Sequence, residues 1–290
     1  MKFRRFFFLF YIVFFQTCVL LGGTLNTTSF ADSMVQGLNK PRKNDSIYAT
    51  GNWKVMQDSY SEWQKRTGAD CKEWFIPPKI HFIWLGSSLP QLCKDIIDSW
   101  RPFHPGWEIR VWTDDDVKDF HMKNQQAFDA AKNFGEKSDI WRYEILERFG
   151  GIYADCDFEC LHSFDELCKQ VHFFVGNCYE AQVFLGNGII GSAPHHPVMV
   201  ECVNNIKPAN GDNNSSRILG STGPRYLTER YFEVAGRFIG EAVVFPCGYF
   251  YPLPIGSRNK NGKRDLLIQQ WKKPETMAIH YWSLSWLKGR

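Results

Sequence analysis

The sequence predicts an α/β fold with a largely parallel sheet. Two observations carry that reading. Residues 79–112 alternate strand, helix and strand, and residues 138–157 repeat a helix-to-strand unit. The composition, 44% hydrophobic and 22% charged, is that of an ordinary folding chain rather than a disordered one. A length of 290 residues fits one large domain or two small ones. The formal net charge of +3 is too small for the basic stripe of a nucleic-acid binder. No internal repeat is present.

Taken in chain order, Lys2, Arg4 and Arg5 precede an apolar run from Phe6 to Leu21, interrupted at Gln16. A basic start followed by an apolar core is the pattern of a secretory signal, yet this run approaches the length of a spanning helix. A cleavage site after Ser29-Phe30-Ala31 also fits. The expectation is a single-pass type II membrane protein, with cleavage and secretion as the alternative. Residues 1–5 form a short cytoplasmic tail, 6–23 a signal-anchor or signal peptide, and 24–75 a polar stem. The folded domain is then 76–290. A Golgi or other secretory membrane and a bacterial membrane ask for similar anchors. Of the nine cysteines, none forms a CxxC pair, which argues against structural zinc.

Lys79 to Trp84 reads as a buried strand. Pro90 to Trp100 reads as a helix with Leu92, Ile96, Ile97 and Trp100 on one side. His104-Pro105-Gly106 is a turn, and Trp107 to Trp112 a second strand. Ser138 is a suitable N-cap for a helix carrying Ile140, Tyr143, Ile145, Leu146 and Phe149, and Gly150 stops it. Gly151 to Asp157 is a short strand ending in acid. Val183 to Ile190 looks extended, Pro197 to Ile206 helical, and 208–221 a polar loop. A helix from Pro224 to Val234 and a strand from Ala278 to Trp282 complete the pattern.

Asp155-Cys156-Asp157 is the sharpest chemical signal, because ligands of open α/β sheets bind outside the carboxyl ends of the strands. Alternation along the strand puts both carboxylates on one side and Cys156 on the other. Two close carboxylates repel, and Mg²⁺ or Mn²⁺ neutralises them while keeping positions open for diphosphate oxygens. A solvated acidic strand end is the plain structural alternative for such a pair standing alone.

The run from Lys137 to Asp157 holds an aspartate, an arginine three residues on, Gly-Gly-x-Tyr and then DxD. It resembles the DxD-containing sugar-transferase region of glycosyltransferase family 32, which includes fungal-type mannosyltransferases, and more distantly the clostridial glucosylating toxins. The similarity continues through Glu159-Cys160-Leu161. Ile80 to Trp84 is similar to the family's first strand, and His280 to Trp286 to its closing element. The resemblance implies a GT-A fold over 76–290: a Rossmann-like nucleotide-sugar sheet with an adjoining acceptor region.

By the same resemblance, Trp84 stacks on the nucleotide base, while Asp139 and Arg142 hold hydroxyls of the donor sugar. Tyr153 packs on the ribose. Asp155 contacts ribose and sugar, partly through the ion, Asp157 binds the ion, and His280 is a metal or pyrophosphate ligand. Ser285 and Trp286 contact the diphosphate. Each has a structural alternative: core aromatics for Trp84, Tyr153 and Trp286, a helix-start ion pair for Asp139 and Arg142, and a satisfied core imidazole for His280. Gly186-Asn187-Gly188 would bring backbone close to the sugar, and Thr222-Gly223-Pro224 resembles an element near the acceptor cleft.

The implied function is metal-dependent, retaining transfer of a hexose to a glycan or glycolipid. The donor is GDP-mannose or a UDP-hexose, with mannose the leading expectation. A protein-modifying effector and a silent sugar-binding adaptor are the rival readings.

Overall fold

A computed structural model describes residues 28–34, 51–66, 72–180, 182–208, 214–257 and 264–283. In chain order its elements are α1 (Phe30–Ser33), α2 (Gly51–Arg66), β1 (Lys79–Ile83), α3 (Gln91–Asp98), β2 (Glu108–Trp112), α4 (Asp114–Phe120), α5 (Gln125–Ala130) and α6 (Phe134–Phe149). There follow β3 (Gly151–Ala154), β4 (Phe158–Cys160), α7 (Asp165–Gln170), β5 (Phe173–Tyr179), β6 (Gln182–Ser192), α8 (Pro197–Asn204), α9 (Ser215–Ser221) and α10 (Pro224–Val234). The last are β7 (Ala242–Phe245), α11 (Cys247–Phe250), α12 (Arg264–Trp271) and β8 (Ala278–His280).

The α/β expectation holds. A six-stranded sheet runs in the order β2-β1-β3-β6-β5-β7, and β4 pairs with β8 in a separate two-stranded ribbon. Within the large sheet β1 lies parallel to β2 and β3, and β5 parallel to β7; β6 alone is antiparallel to its neighbours. Strands β3, β5 and β7 are buried along their whole or nearly whole length, as strands covered on both faces must be.

Helix α6 delivers the chain to β3. It stops at Gly150 (φ 61°), and Gly151 (φ 97°) follows immediately, so two residues in the left-handed half of the map make the turn. A side chain at Gly151 would lie 2.7 Å from the Lys79 carbonyl oxygen on β1, so that position admits glycine alone.

Several elements differ from the sequence reading. Helix α6 begins at Phe134, because Asn133 caps it by accepting from the backbone N–H of Gly135 at 2.7 Å, one turn before Ser138. On α3, Ile96 and Ile97 face the core, whereas Leu92 is 51% exposed. Strand β3 ends at Ala154, and Asp155–Asp157 form the turn into β4, closed by a bond from Phe158 N–H to the Asp155 carbonyl at 2.9 Å. The polar stretch 208–221 contains α9, capped by Asn214. Within the stretch assigned to a stem, α2 buries Trp53, Met56, Tyr60 and Trp63, and lies against β7. The core therefore draws on residues N-terminal to Ile76.

The type II membrane reading is corrected. Among the described residues no helix is long and apolar enough to cross a membrane, and the proposed anchor at 6–23 lies outside them.

Candidate active site

The carboxyl edge of β3 carries a continuous polar network. Arg142, buried on α6, is its centre. Its guanidinium reaches Asp139 Oδ1 at 3.0 Å and Asp155 Oδ1 at 3.2 Å, donates to the Asn187 carbonyl, and lies 4.3 Å from the centroid of the Tyr153 ring. Three residues along a helix put Asp139 and Arg142 on neighbouring faces, close enough for one side chain to grip the other. A planar five-donor fork can hold two carboxylates and a carbonyl together, which an ammonium cannot. Burial opposes charge on Arg142, but Tyr153, Asp155 and Asp139 around it raise its pKa further.

Asp139 is fixed at both oxygens. Asn187 Nδ2 donates to Oδ1 at 2.8 Å and Thr222 Oγ1 to Oδ2 at 3.2 Å. Burial pushes its carboxyl up to about 7 against the pull of Arg142. Asp155 accepts from the Tyr153 hydroxyl at 2.7 Å, and its backbone N–H donates to the Gly188 carbonyl at 2.7 Å, tying the turn to β6. Tyr153 itself is 1% exposed, so here it supports Asp155 and Arg142 and offers no open face to a ribose.

Asp157 sits opposite. His280 Nε2 lies 3.1 Å from its Oδ1, and the Ser283 N–H donates to Oδ2 at 2.7 Å. Burial works against charge on both partners, but the pairing wins: Asp157 is held below the usual carboxylate range and His280 above the usual imidazole range. The His280 ring stacks on Phe158 at 4.6 Å, which sets its plane. Its Nδ1 is buried without a hydrogen-bond partner.

Asp155, Asp157 and His280 each offer one ligand atom, all within 4.8 Å of one another. Two carboxylate oxygens and one imidazole nitrogen suit a divalent cation with open positions. The donor set fits a metal: a cation would take the place of the proton between His280 and Asp157, and Asp157 is already ionised by its surroundings.

The sequence-predicted residues converge in part. Asp139, Arg142, Tyr153, Asp155, Asp157 and His280 form one network or adjoin it. Trp84, half-buried at the end of β1, lies at the same sheet edge, with its indole N–H on Ser87 Oγ at 3.2 Å. Ser285 and Trp286 lie outside the described residues. Asn187 and Thr222 enter through their side chains, where the sequence suggested only close backbone and an acceptor-side element. Tyr143, whose hydroxyl donates to the Thr222 carbonyl at 2.7 Å, looked like plain core.

Residues 90–174 match the family described as glycosyltransferase sugar-binding region containing DXD motif. Inositol phosphoceramide mannosyltransferase 1 of Schizosaccharomyces pombe is 26% identical over 182 residues, covering 60% of this chain and 56% of that protein. A mannosyl phosphorylinositol ceramide synthase of Saccharomyces cerevisiae is 27% identical over 186 residues, 60% of this chain and 46% of its own length. The chain thus spans about half the length of the curated relatives it matches. Among solved structures, PaToxG glycosyltransferase is 16% identical, covers 75% of this chain and 85% of its own, and superposes loosely, with a TM-score of 0.44. The DxD turn at the edge of β3 falls within that match, and residues 90–174 of the chain carry a DXD-containing glycosyltransferase sugar-binding region.

Proposed function

We propose that the chain transfers a hexose, mannose first among candidates, from a nucleotide-sugar to a glycan or glycolipid acceptor, with retention of anomeric configuration and with Mn²⁺ or Mg²⁺. One observation carries this reading: the cation-type cluster Asp155, Asp157 and His280 is continuous, through Asp155, with the buried Arg142–Asp139 pair. The sugar and diphosphate sides of a donor would therefore meet one connected set of groups. The names of the fungal relatives favour mannose and a lipid-linked acceptor.

A bound divalent ion would supply charge to offset the departing nucleoside diphosphate. Asp157 and His280 would hold it, with Asp155 reaching both ion and donor. Arg142 and Asp139 would orient the sugar hydroxyls, and Trp84 would stack on the base. Retention is supported by the state of the carboxylates. Asp139 is bonded by Arg142, Asn187 and Thr222, and Asp155 by Arg142 and Tyr153, so neither is disposed as the unencumbered base that inversion needs. The intact ligand set weighs against a silent adaptor.

The test is a panel of GDP- and UDP-sugars with Mn²⁺ and simple α-linked glycoside and inositol-phosphate acceptors, the product anomer being read by NMR. The reading expects GDP-mannose turnover and an α-linked product from the α-linked donor. A β-linked product would remove the retaining mechanism, and preference for another nucleotide-sugar would remove mannose.

A further inference from the structure

Glu136, in the first turn of α6, takes no part in the proposed chemistry. It is 2% exposed, and Arg217 on α9 grips it with two bonds, Nη1 to Oε1 and Nη2 to Oε2, each 2.7 Å. A buried carboxylate met by a bidentate guanidinium is a geometrically specific pair, unlike a flexible surface ion pair. Three residues further along α6 is Asp139, and four beyond that Tyr143, so the three side chains share one helical face.

All three bond to the same short segment of chain. Glu136 holds Arg217, Asp139 accepts from Thr222 Oγ1 at 3.2 Å, and Tyr143 donates to the Thr222 carbonyl at 2.7 Å. Arg217 also reaches Ser221 Oγ at 3.4 Å, bracing α9 internally. Ile218 is the one fully buried side chain that α9 contributes, so apolar packing holds this helix weakly and polar bonds carry its position.

We propose that Arg217 is a positioning residue for donor-sugar binding: clasped to Glu136, it seats α9 so that Thr222 fixes the carboxylate of Asp139. The inference rests on the proposed nucleotide-sugar chemistry of this site. Thr222 and Asn187 each bond one oxygen of Asp139, and Arg142 then has a fixed partner on the sugar side. Without the clasp, Thr222 leaves Oδ2 and the carboxylate gains rotational freedom. The loss falls chiefly on the sugar: of the ion ligands only Asp155 adjoins this pair, and it does so through Arg142, whereas Asp157 and His280 are bonded to each other and to Ser283.

The test uses the full chain and titration calorimetry with Mn²⁺ present, comparing GDP with GDP-mannose and UDP with UDP-glucose. Arg217→Gln is expected to weaken the nucleotide-sugar about 10-fold while leaving the free nucleotide within 2-fold. Arg217→Lys, which keeps the charge but loses the fork, should fall between. In a Thr222→Val background Arg217→Gln should add little, since both act through one carboxylate. Equal weakening of nucleotide and nucleotide-sugar would overturn the proposal, as would a full additive effect in the Thr222→Val background. A lower Tm with unchanged sugar affinity would also overturn it. If the unmodified protein binds neither nucleotide nor nucleotide-sugar, the functional reading itself fails, which is a separate result.

Discussion

Arg142 spans two carboxylates, and the residue scale of the site follows from that. Its fork is bonded to Asp139, Asp155 and a backbone carbonyl at once. Arg142→Lys keeps the charge but reaches one partner at a time, so kcat is expected to drop about 100-fold with little change in Tm; a loss under 3-fold would show that the bridging geometry is dispensable. Gly188 makes a finer probe. A methyl group there would lie 2.8 Å from Asp155 Oδ2 and 3.0 Å from the Phe158 ring. Gly188→Ala should therefore displace Asp155 and lower activity about 10-fold or more, measured beside a thermal melt that stays near the unmodified value. The acids of the DxD turn and His280 were legible in the sequence because they sit in compact motifs. The side chains of Asn187 and Thr222 were not, since they meet Asp139 from 48 and 83 residues away and only the folded sheet brings them there.

At the scale of elements, β1, β2 and α6 are joined by one buried imidazole. The Trp112 indole N–H donates to His81 Nδ1 at 3.2 Å, so the hydrogen sits on Nε2, which meets the Gly150 carbonyl at 2.9 Å. A second proton would have to face the Trp112 N–H. Burial, with a smaller push from Lys79 and Arg110, lowers the pKa of His81 to about 4 despite the Gly150 bond. The unfolded chain takes up that proton near the ordinary value of about 6.5. The stabilisation is thus complete above about pH 6.5 and is lost as pH falls toward 4, by up to about 3 kcal/mol. Buried His196, lowered to about 3 chiefly by burial, acts in the same direction. Urea unfolding of His81→Gln should show a shallower loss between pH 6.5 and 4 than the unmodified protein; parallel curves would contradict the assignment. Strand and helix identities near the site followed from periodicity and from Gly150, whereas α9 was hidden in a polar stretch because its positions are fixed by ion pairing more than by an apolar stripe.

The whole molecule is larger than the sequence suggested. Polar residues of α2 gave 24–75 the look of a stem, but Trp63 is fully buried, its ring centroid 4.8 Å from that of Phe245 on β7 and its indole N–H on Gln170 at 3.1 Å. Phe30 packs edge-on against Trp53 and Tyr60 in the same cluster. Trp63→Ala is expected to cost about 3–5 kcal/mol, read by denaturant unfolding; a cost below 1 kcal/mol would mean that α2 is peripheral to the fold. At the carboxyl edge of the large sheet Trp84 follows β1 and the DxD turn follows β3, and His280 of the β4–β8 ribbon pairs with Asp157. Metal-dependent turnover of a nucleotide-sugar at this edge is the proposal on which the other assignments depend. It is tested most directly by measuring hydrolysis of GDP-mannose and the UDP-hexoses with and without Mn²⁺, for the unmodified chain and for Asp157→Asn. Turnover is expected to require the ion and to fall about 100-fold or more in the variant, with its melting curve preserved. Turnover indifferent to Mn²⁺, or retained in folded Asp157→Asn, would contradict it.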